Sequence, residues 1–206
     1  MYIKNPMEIE SKSMDIIDEI MGDTHFSEEE KTIAKRMIHT TGDFDYRNLI
    51  VFRHDFIKEA KRAISEKTTI FTDTKMAYTG INKPALNKAN CQLKCFIDDE
   101  RVFSLSKELG TTRSACAVDL AVEEGIDIFV IGNAPTALFR ILELVKEGKA
   151  NPRFIVGVPV GFVGAAESKE YLREFNIPSI STVGNKGGSN VAASIINAIL
   201  YMVVGR

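Results

Sequence analysis

Short, β-rich apolar runs alternate with amphipathic helical stretches along most of this chain. The runs fall at 48–52, 68–72, 94–97, 127–131, 153–160 and 179–183. Helical patterns lie around them at 54–66, 100–109, 113–124, 134–148, 165–175 and 189–204. Near-continuous apolar strands joined by amphipathic helices predict a parallel sheet covered on both faces. Two more helices, about 7–21 and 28–40, precede the first strand. The expectation is an α/β fold of three layers. No linker rich in Pro, Ser or Gly divides the chain, so one domain is expected over 1–206, with helices at 1–45 and an α/β core at 46–206.

Charge and cysteine usage exclude several classes. The 26 Lys and Arg residues nearly balance 28 Asp and Glu, leaving a net charge of −2. A nucleic-acid partner would need a basic excess. Cys91, Cys95 and Cys116 are too few for a disulfide framework and lack a second ligand pair for zinc. They read as reduced thiols in a cytoplasmic protein. The N-terminus carries no apolar signal segment. The longest apolar stretch, 191–204, falls short of the ~20 residues that cross a bilayer. No membrane association is expected.

Open parallel sheets bind ligands beyond the carboxyl ends of their strands. Three strand ends here carry Gly-rich loops: Gly132-Asn133-Ala134-Pro135, the segment 157–164, and Gly184-Asn185-Lys186-Gly187-Gly188-Ser189. Each leads into a helix, whose free N–H groups favour carboxylates or phosphates. Neither the dinucleotide fingerprint nor the phosphate-loop spacing occurs, so NAD and ATP are not expected. The same loops also fit tight strand-to-helix turns with no ligand.

Ser27 and Glu30 form a capping box. The helix they open carries Ile33, Ala34, Met37 and Ile38 as a buried stripe and ends at Gly42. His39 therefore sits in the last turn, where free carbonyls favour the imidazolium form. It is placed either to donate a proton or simply to cap its helix. Arg36 lies three residues earlier on the same face, so the two could grip one anionic ligand. No His or Cys stands at metal spacing from His39, and no nucleophile elbow is present.

Several of these segments together resemble the precorrin-8X methylmutases. They are 34–45 around His39-Thr40-Thr41-Gly42, 131–138 around Gly132-Asn133-Ala134-Pro135, 157–163, Ala166-Glu167-Ser168-Lys169-Glu170, and Lys186-Gly187-Gly188-Ser189. The resemblance runs from about residue 5 to the C-terminus. It implies a flavodoxin-like fold and an isomerase of vitamin B12 synthesis. That reaction moves a methyl group from C-11 to C-12 of a corrin precursor, formally a 1,5-sigmatropic shift. The product is hydrogenobyrinic acid, or cobyrinic acid when the ring carries cobalt. The Lys- and Ile-rich composition leans toward the cobalt-bearing substrate. No cofactor is implied, and the protein is expected to bind no metal of its own.

The resemblance also assigns roles. His39 becomes the acid that protonates, or hydrogen-bonds, a pyrrole-type nitrogen as the methyl leaves C-11. Arg36, Arg113 and Lys186 are implied to meet carboxylates of the ring fringe. Ser13, Thr40, Gly80, Asn82, Asn133, Gly187, Gly188 and Ser189 complete the implied substrate contacts. Asn185 departs from the family, which often has Arg there. A homodimer with its active site near the subunit interface is implied, and the apolar C-terminal helix would suit that interface. Neighbouring enzymes of the B12 pathway are further expected partners. Two other classes share parts of this pattern: a corrinoid carrier without turnover, which would not need His39, and a nucleotide-binding flavodoxin-like protein.

Overall fold

A computed structural model describes residues 3–205. Helices α1 (Pro6–Met21), α2 (Glu28–Thr41) and the short α3 (Tyr46–Leu49) lead into strand β1 (Ile50–Arg53). There follow α4 (Phe56–Ser65), β2 (Thr69–Thr72), α5 (Lys75–Gly80), α6 (Lys83–Lys88) and β3 (Gln92–Lys94). The second half runs α7 (Glu100–Leu109), α8 (Arg113–Glu123), β4 (Ile128–Ile131), α9 (Pro135–Lys146) and β5 (Phe154–Gly157). It closes with α10 (Ala165–Leu172), β6 (Ser179–Thr182) and α11 (Ser189–Val204).

The strands form one six-stranded sheet in the order β1-β6-β5-β4-β2-β3. From β3 to β6 every pairing is parallel. Numbered from β2, this part has the order 2-1-3-4-5, the doubly wound flavodoxin-like arrangement with its switch point between β2 and β4. Side chains alternate across the sheet as the two-residue period requires. Ile70, Ile128, Val130, Phe154 and Val156 join a core under α1, α2, α4, α6 and α11. Phe71, Phe129, Ile131 and Ile155 join a second core under α7, α8, α9 and α10.

The sheet departs from expectation at one edge. β1 pairs antiparallel to β6, with Ile50 opposite Thr182 and Arg53 opposite Ser179. The third strand is shifted to Gln92–Lys94, where it pairs with β2 from Thr69 to Phe71. The C-terminal helix packs largely within the chain, with Tyr201 through Val204 half-buried. Val191 through Ile196 and Ala198 through Leu200 are buried in the first core, so most of its apolar surface is already covered. No helix among the described residues is long and apolar enough to cross a membrane.

Candidate functional site

The direction of β1 decides where His39 lies. An antiparallel strand starts where its parallel neighbours end. Ile50 faces Thr182, the last residue of β6, and the Val183 N–H donates to Leu49 O at 2.8 Å. The chain entering β1 is therefore delivered to the carboxyl edge of the parallel strands. That entering segment is the end of α2, its turn and α3. A parallel β1 would have left His39 at the opposite edge from the Gly-rich loops.

Local chemistry ends α2 as the sequence requires. Ser27 Oγ accepts from the Glu30 N–H at 3.3 Å, and Glu30 Oε2 accepts from the Ser27 N–H at 2.8 Å. At the other end Gly42 adopts φ 66° and its N–H donates to Ile38 O at 2.8 Å. A left-handed conformation there suits glycine. His39 and Thr40 project from the last turn and are exposed. The His39 imidazole forms no hydrogen bond or ion pair among the described residues.

The turn after His39 is tied to the loop after β6. Lys186 Nζ donates to Asp43 Oδ2 at 2.5 Å and to Asp45 Oδ2 at 2.6 Å. Tyr46 Oη donates to Gly187 O at 3.3 Å. The Lys186 ammonium, with the Asp45 N–H, holds the Asp43 carboxyl below its ordinary range. The same pairing holds the Lys186 amine above its own. Lys186 is thus neutralised by its neighbours in this structure.

Main-chain packing explains the glycines of that loop. A Cβ on Gly187 would lie 2.1 Å from Val158 O, and the Gly188 N–H donates to that same oxygen at 2.9 Å. Ser189 Oγ pairs with Thr74 Oγ1 at 2.8 Å, and a Cβ on Gly132 would meet Ser189 Cα at 2.7 Å. The ends of β2, β4, β5 and β6 therefore converge on the start of α11.

Asp73 closes the switch point. It follows β2, is wholly buried, and accepts the N–H groups of Gly132 at 3.0 Å and of Asn133 and Ala134 at 2.8 Å each. These are the free donors at the start of α9, where a phosphate sits in nucleotide-binding relatives of this fold. Here a side-chain carboxylate takes that place. Burial holds the Asp73 carboxyl above its ordinary range, and the N–H groups of Gly132, Ala134 and Asn133 offset only part of that rise.

A second cluster joins α2, α5, α6 and α11. Arg36 Nη1 donates to Glu10 Oε1 at 2.6 Å, and its guanidinium lies 5.0 Å from the centre of the Tyr201 ring. Asn82 Nδ2 donates to Tyr201 Oη at 3.1 Å, while the Asn82 N–H donates to Asn197 Oδ1 at 2.7 Å. Asn197 Nδ2 returns a bond to Gly80 O at 3.0 Å. Arg36, Gly80 and Asn82 are thereby brought into one network. Ser13 lies in α1 with its hydroxyl donating to Ile9 O at 2.7 Å.

Arg113 stands apart. It opens α8 under the other face of the sheet, exposed, with its guanidinium 4.7 Å from the Phe103 ring centre. Its neighbour Thr112 reaches Thr136 of α9 at 2.9 Å, which places Arg113 beyond the Asn133 loop. Asn133 is exposed, with its N–H committed to Asp73.

The loop after β5 is apolar at its tip. Phe162 and Val163 are 91% and 89% exposed, and the Gly161 N–H ties the loop to Asn185 O at 3.1 Å. Cavities of about 450 and 480 Å³ lie between α8 and α9, and others of about 270 to 380 Å³ elsewhere; none of them is lined by His39. The candidate site is an open edge in the single chain. Among the described residues no group of three or more His, Cys, Asp or Glu could hold a metal ion.

Sequence reading alone missed Asp73, Tyr46, Asn197 and Tyr201, whose hydrogen-bond partners lie between 59 and 141 residues away. An Asp directly after a strand, at the turn into the next helix, was the available signal for the first of them.

These features define a doubly wound α/β protein whose candidate site is an open carboxyl edge, with one unpaired histidine and a switch point sealed from within. Comparison with known proteins is specific. The profile of the CbiC precorrin-8X methylmutase family matches residues 8–202. The cobalt-precorrin-8 methylmutase of Salmonella typhimurium is 45% identical over 207 residues, covering 97% of each chain. That of Methanocaldococcus jannaschii is also 45% identical, over 96% of this chain and 94% of its own. A solved precorrin-8X methylmutase from Thermus thermophilus superposes with a TM-score of 0.90 at 33% identity, covering 96% of both chains. The chain belongs to the precorrin-8X methylmutase family.

Proposed function

We propose that this protein is an isomerase of vitamin B12 biosynthesis that moves a methyl group from C-11 to C-12 of a corrin precursor. The substrate is cobalt-precorrin-8, the cobalt-bearing form of the ring named for the relatives that are 45% identical. Family membership supports the reaction. The observation that carries the residue assignment is an unpaired imidazole at the carboxyl edge, fixed there through the bonds of Lys186 to Asp43 and Asp45.

In this reading His39 donates its proton, or a hydrogen bond, to a ring nitrogen. Electron density is drawn through the conjugated system, the C-11–methyl bond breaks, and the C-12–methyl bond forms. The proton returns as conjugation is restored. Such acid assistance contributes typically 10²–10⁴-fold. The edge supplies orientation, which an intramolecular migration needs more than a nucleophile. Arg36 and Lys186 meet the carboxylate fringe in competition with the contacts they already make, and Arg113 meets it from beyond the Asn133 loop. Ser13, Thr40, Gly80, Asn82, Asn133, Gly187, Gly188 and Ser189 contribute surface and main-chain contacts.

The whole chain acts as one unit in the cytoplasm and works as a homodimer. The edge is open in one chain, and apolar surface flanks it: Phe162 and Val163 on the loop after β5, and Ile9, Ile16 and Ile20 on the face of α1 that carries Ser13. A second copy would cover that surface and wall the site.

The test mixes purified protein with cobalt-precorrin-8 and with precorrin-8X under argon and follows the visible spectrum. Wild type converts the cobalt form faster. The H39A variant still binds the ring but loses about 10²–10⁴-fold in rate. Failure of wild type on both rings overturns the reaction, and full turnover by H39A overturns the acid role.

A further inference from the structure

Lys169 is wholly buried in α10 and has no carboxylate at ion-pair distance among the described residues. Its ammonium donates to Thr182 Oγ1 at 3.1 Å and to the main-chain oxygen of Lys186 at 2.9 Å. Thr182 Oγ1 donates to that same oxygen at 2.6 Å. Arg173, one turn further along, donates to Ser181 Oγ at 3.2 Å, so a second cation lies against β6. Burial, and to a lesser degree Arg173, pushes the Lys169 amine down to about 8.

This is a costly way to pack a helix against a strand. An apolar side chain of similar length would fill the space without desolvating a charge, and such replacements are often neutral or stabilising. What the ammonium supplies, beside the Thr182 hydroxyl, is a charge-assisted grip on the Lys186 carbonyl. Lys186 is the residue whose own amine holds Asp43 and Asp45, and Asp43 Oδ1 in turn accepts the Asp45 N–H at 2.9 Å. A continuous chain of bonds thus runs from α10 through the loop after β6 to the turn that ends the helix of His39.

We infer that Lys169 is a positioning residue of the candidate site: its ammonium fixes the main chain at Lys186, and Lys186 fixes the turn that follows His39. The inference rests on His39 being the reacting group, but the strut itself can be measured without turnover.

The experiment compares wild type with K169M and T182V by amide hydrogen exchange on the intact protein. T182V removes the hydroxyl that accepts from Lys169 and donates to Lys186 O, so it loosens both grips on that carbonyl, and it serves if K169M does not fold. Either variant speeds exchange at 184–188 and also at 42–46, with the Asp45 amide foremost. Faster exchange at 184–188 alone, or at neither segment, overturns the inference. In the spectral assay kcat falls about ten- to a hundredfold, the scale of a misplacement of roughly an ångström, while KM moves less. An unchanged kcat in a variant whose 42–46 segment has loosened also overturns it. If wild type converts neither ring, the reading of the reaction fails, and the exchange data still decide the strut.

Discussion

Replacing Asp73 by Asn tests how the switch point is sealed. The carboxylate accepts one N–H at Oδ1 and two at Oδ2. An Asn can keep its oxygen toward Asn133 and Ala134, but its NH₂ then faces the Gly132 N–H, donor against donor. A buried donor left unsatisfied costs about 1–3 kcal/mol, and the two remaining bonds lose their charge assistance at about 1 kcal/mol each. Removing a buried charge offsets part of this. The expected net loss is about 2–4 kcal/mol. For a chain of this size each kcal/mol lowers Tm by about 2–4 °C, so Tm should fall by roughly 4–16 °C. Urea melts at pH 7 read the free energy directly, with an unchanged m-value if the unfolded state is unaltered. A D73N variant within about 0.5 kcal/mol of wild type would refute the argument, because a side chain that tolerates Asn there was already carrying a proton. Asp73→Ala adds a second reading. Formate, which has the geometry of the missing group, should restabilise that variant more than wild type.

Four further outcomes follow from the same geometry. Gly187→Ala should cost roughly 3 kcal/mol or more, since its Cβ would sit 2.1 Å from Val158 O and the two loops must part; a stability near wild type in urea melts would contradict the close approach. The double variant F162S/V163S should change stability by less than about 0.5 kcal/mol yet shift the proposed dimer toward monomer in sedimentation; a wild type that sediments as a monomer, or a variant that does not shift, contradicts the proposed interface. The folded pKa of Lys169, about 8, lies below its ordinary value of 10.5, so between these values the unfolded chain binds more protons and stability rises with pH. That rise should be absent from K169M. Asp43 has the opposite sign: its folded value is depressed, so its contribution is present above about pH 4 and disappears as pH falls through the folded value, which D43N should show as a shallower acid loss.

Much of the frame was legible because it depends on local signals. The capping box of α2 and its Gly42 stop follow from side-chain and backbone chemistry within a turn, and both bonds of the box are present. β2, β4, β5 and β6 are short β-rich runs between helices, and the order of the Gly-rich loops placed the edge. Strand direction was not legible in β1, because four residues reading Ile-Val-Phe-Arg carry no mark of which way they run. The short α5 and α6 escaped because six residues each are too few to show a helical period. Charges were the hardest to read. Lys186 and Arg36 look like free cations in sequence, and their counterions lie 143 and 26 residues away. Lys169 was visible only as part of a motif, because a lysine gives no sign in sequence that it will be buried.

The strut between Asp43 and Lys186 spans 143 residues. Closing a flexible loop of that length costs about 4 kcal/mol beyond a constant, and no shorter contact between those segments can be made until the last strand and its loop exist. During synthesis, the first helices therefore wait for nearly the whole chain before their end acquires a fixed place. A polypeptide that ends before the last strand has its histidine in hand and no edge for it to stand against.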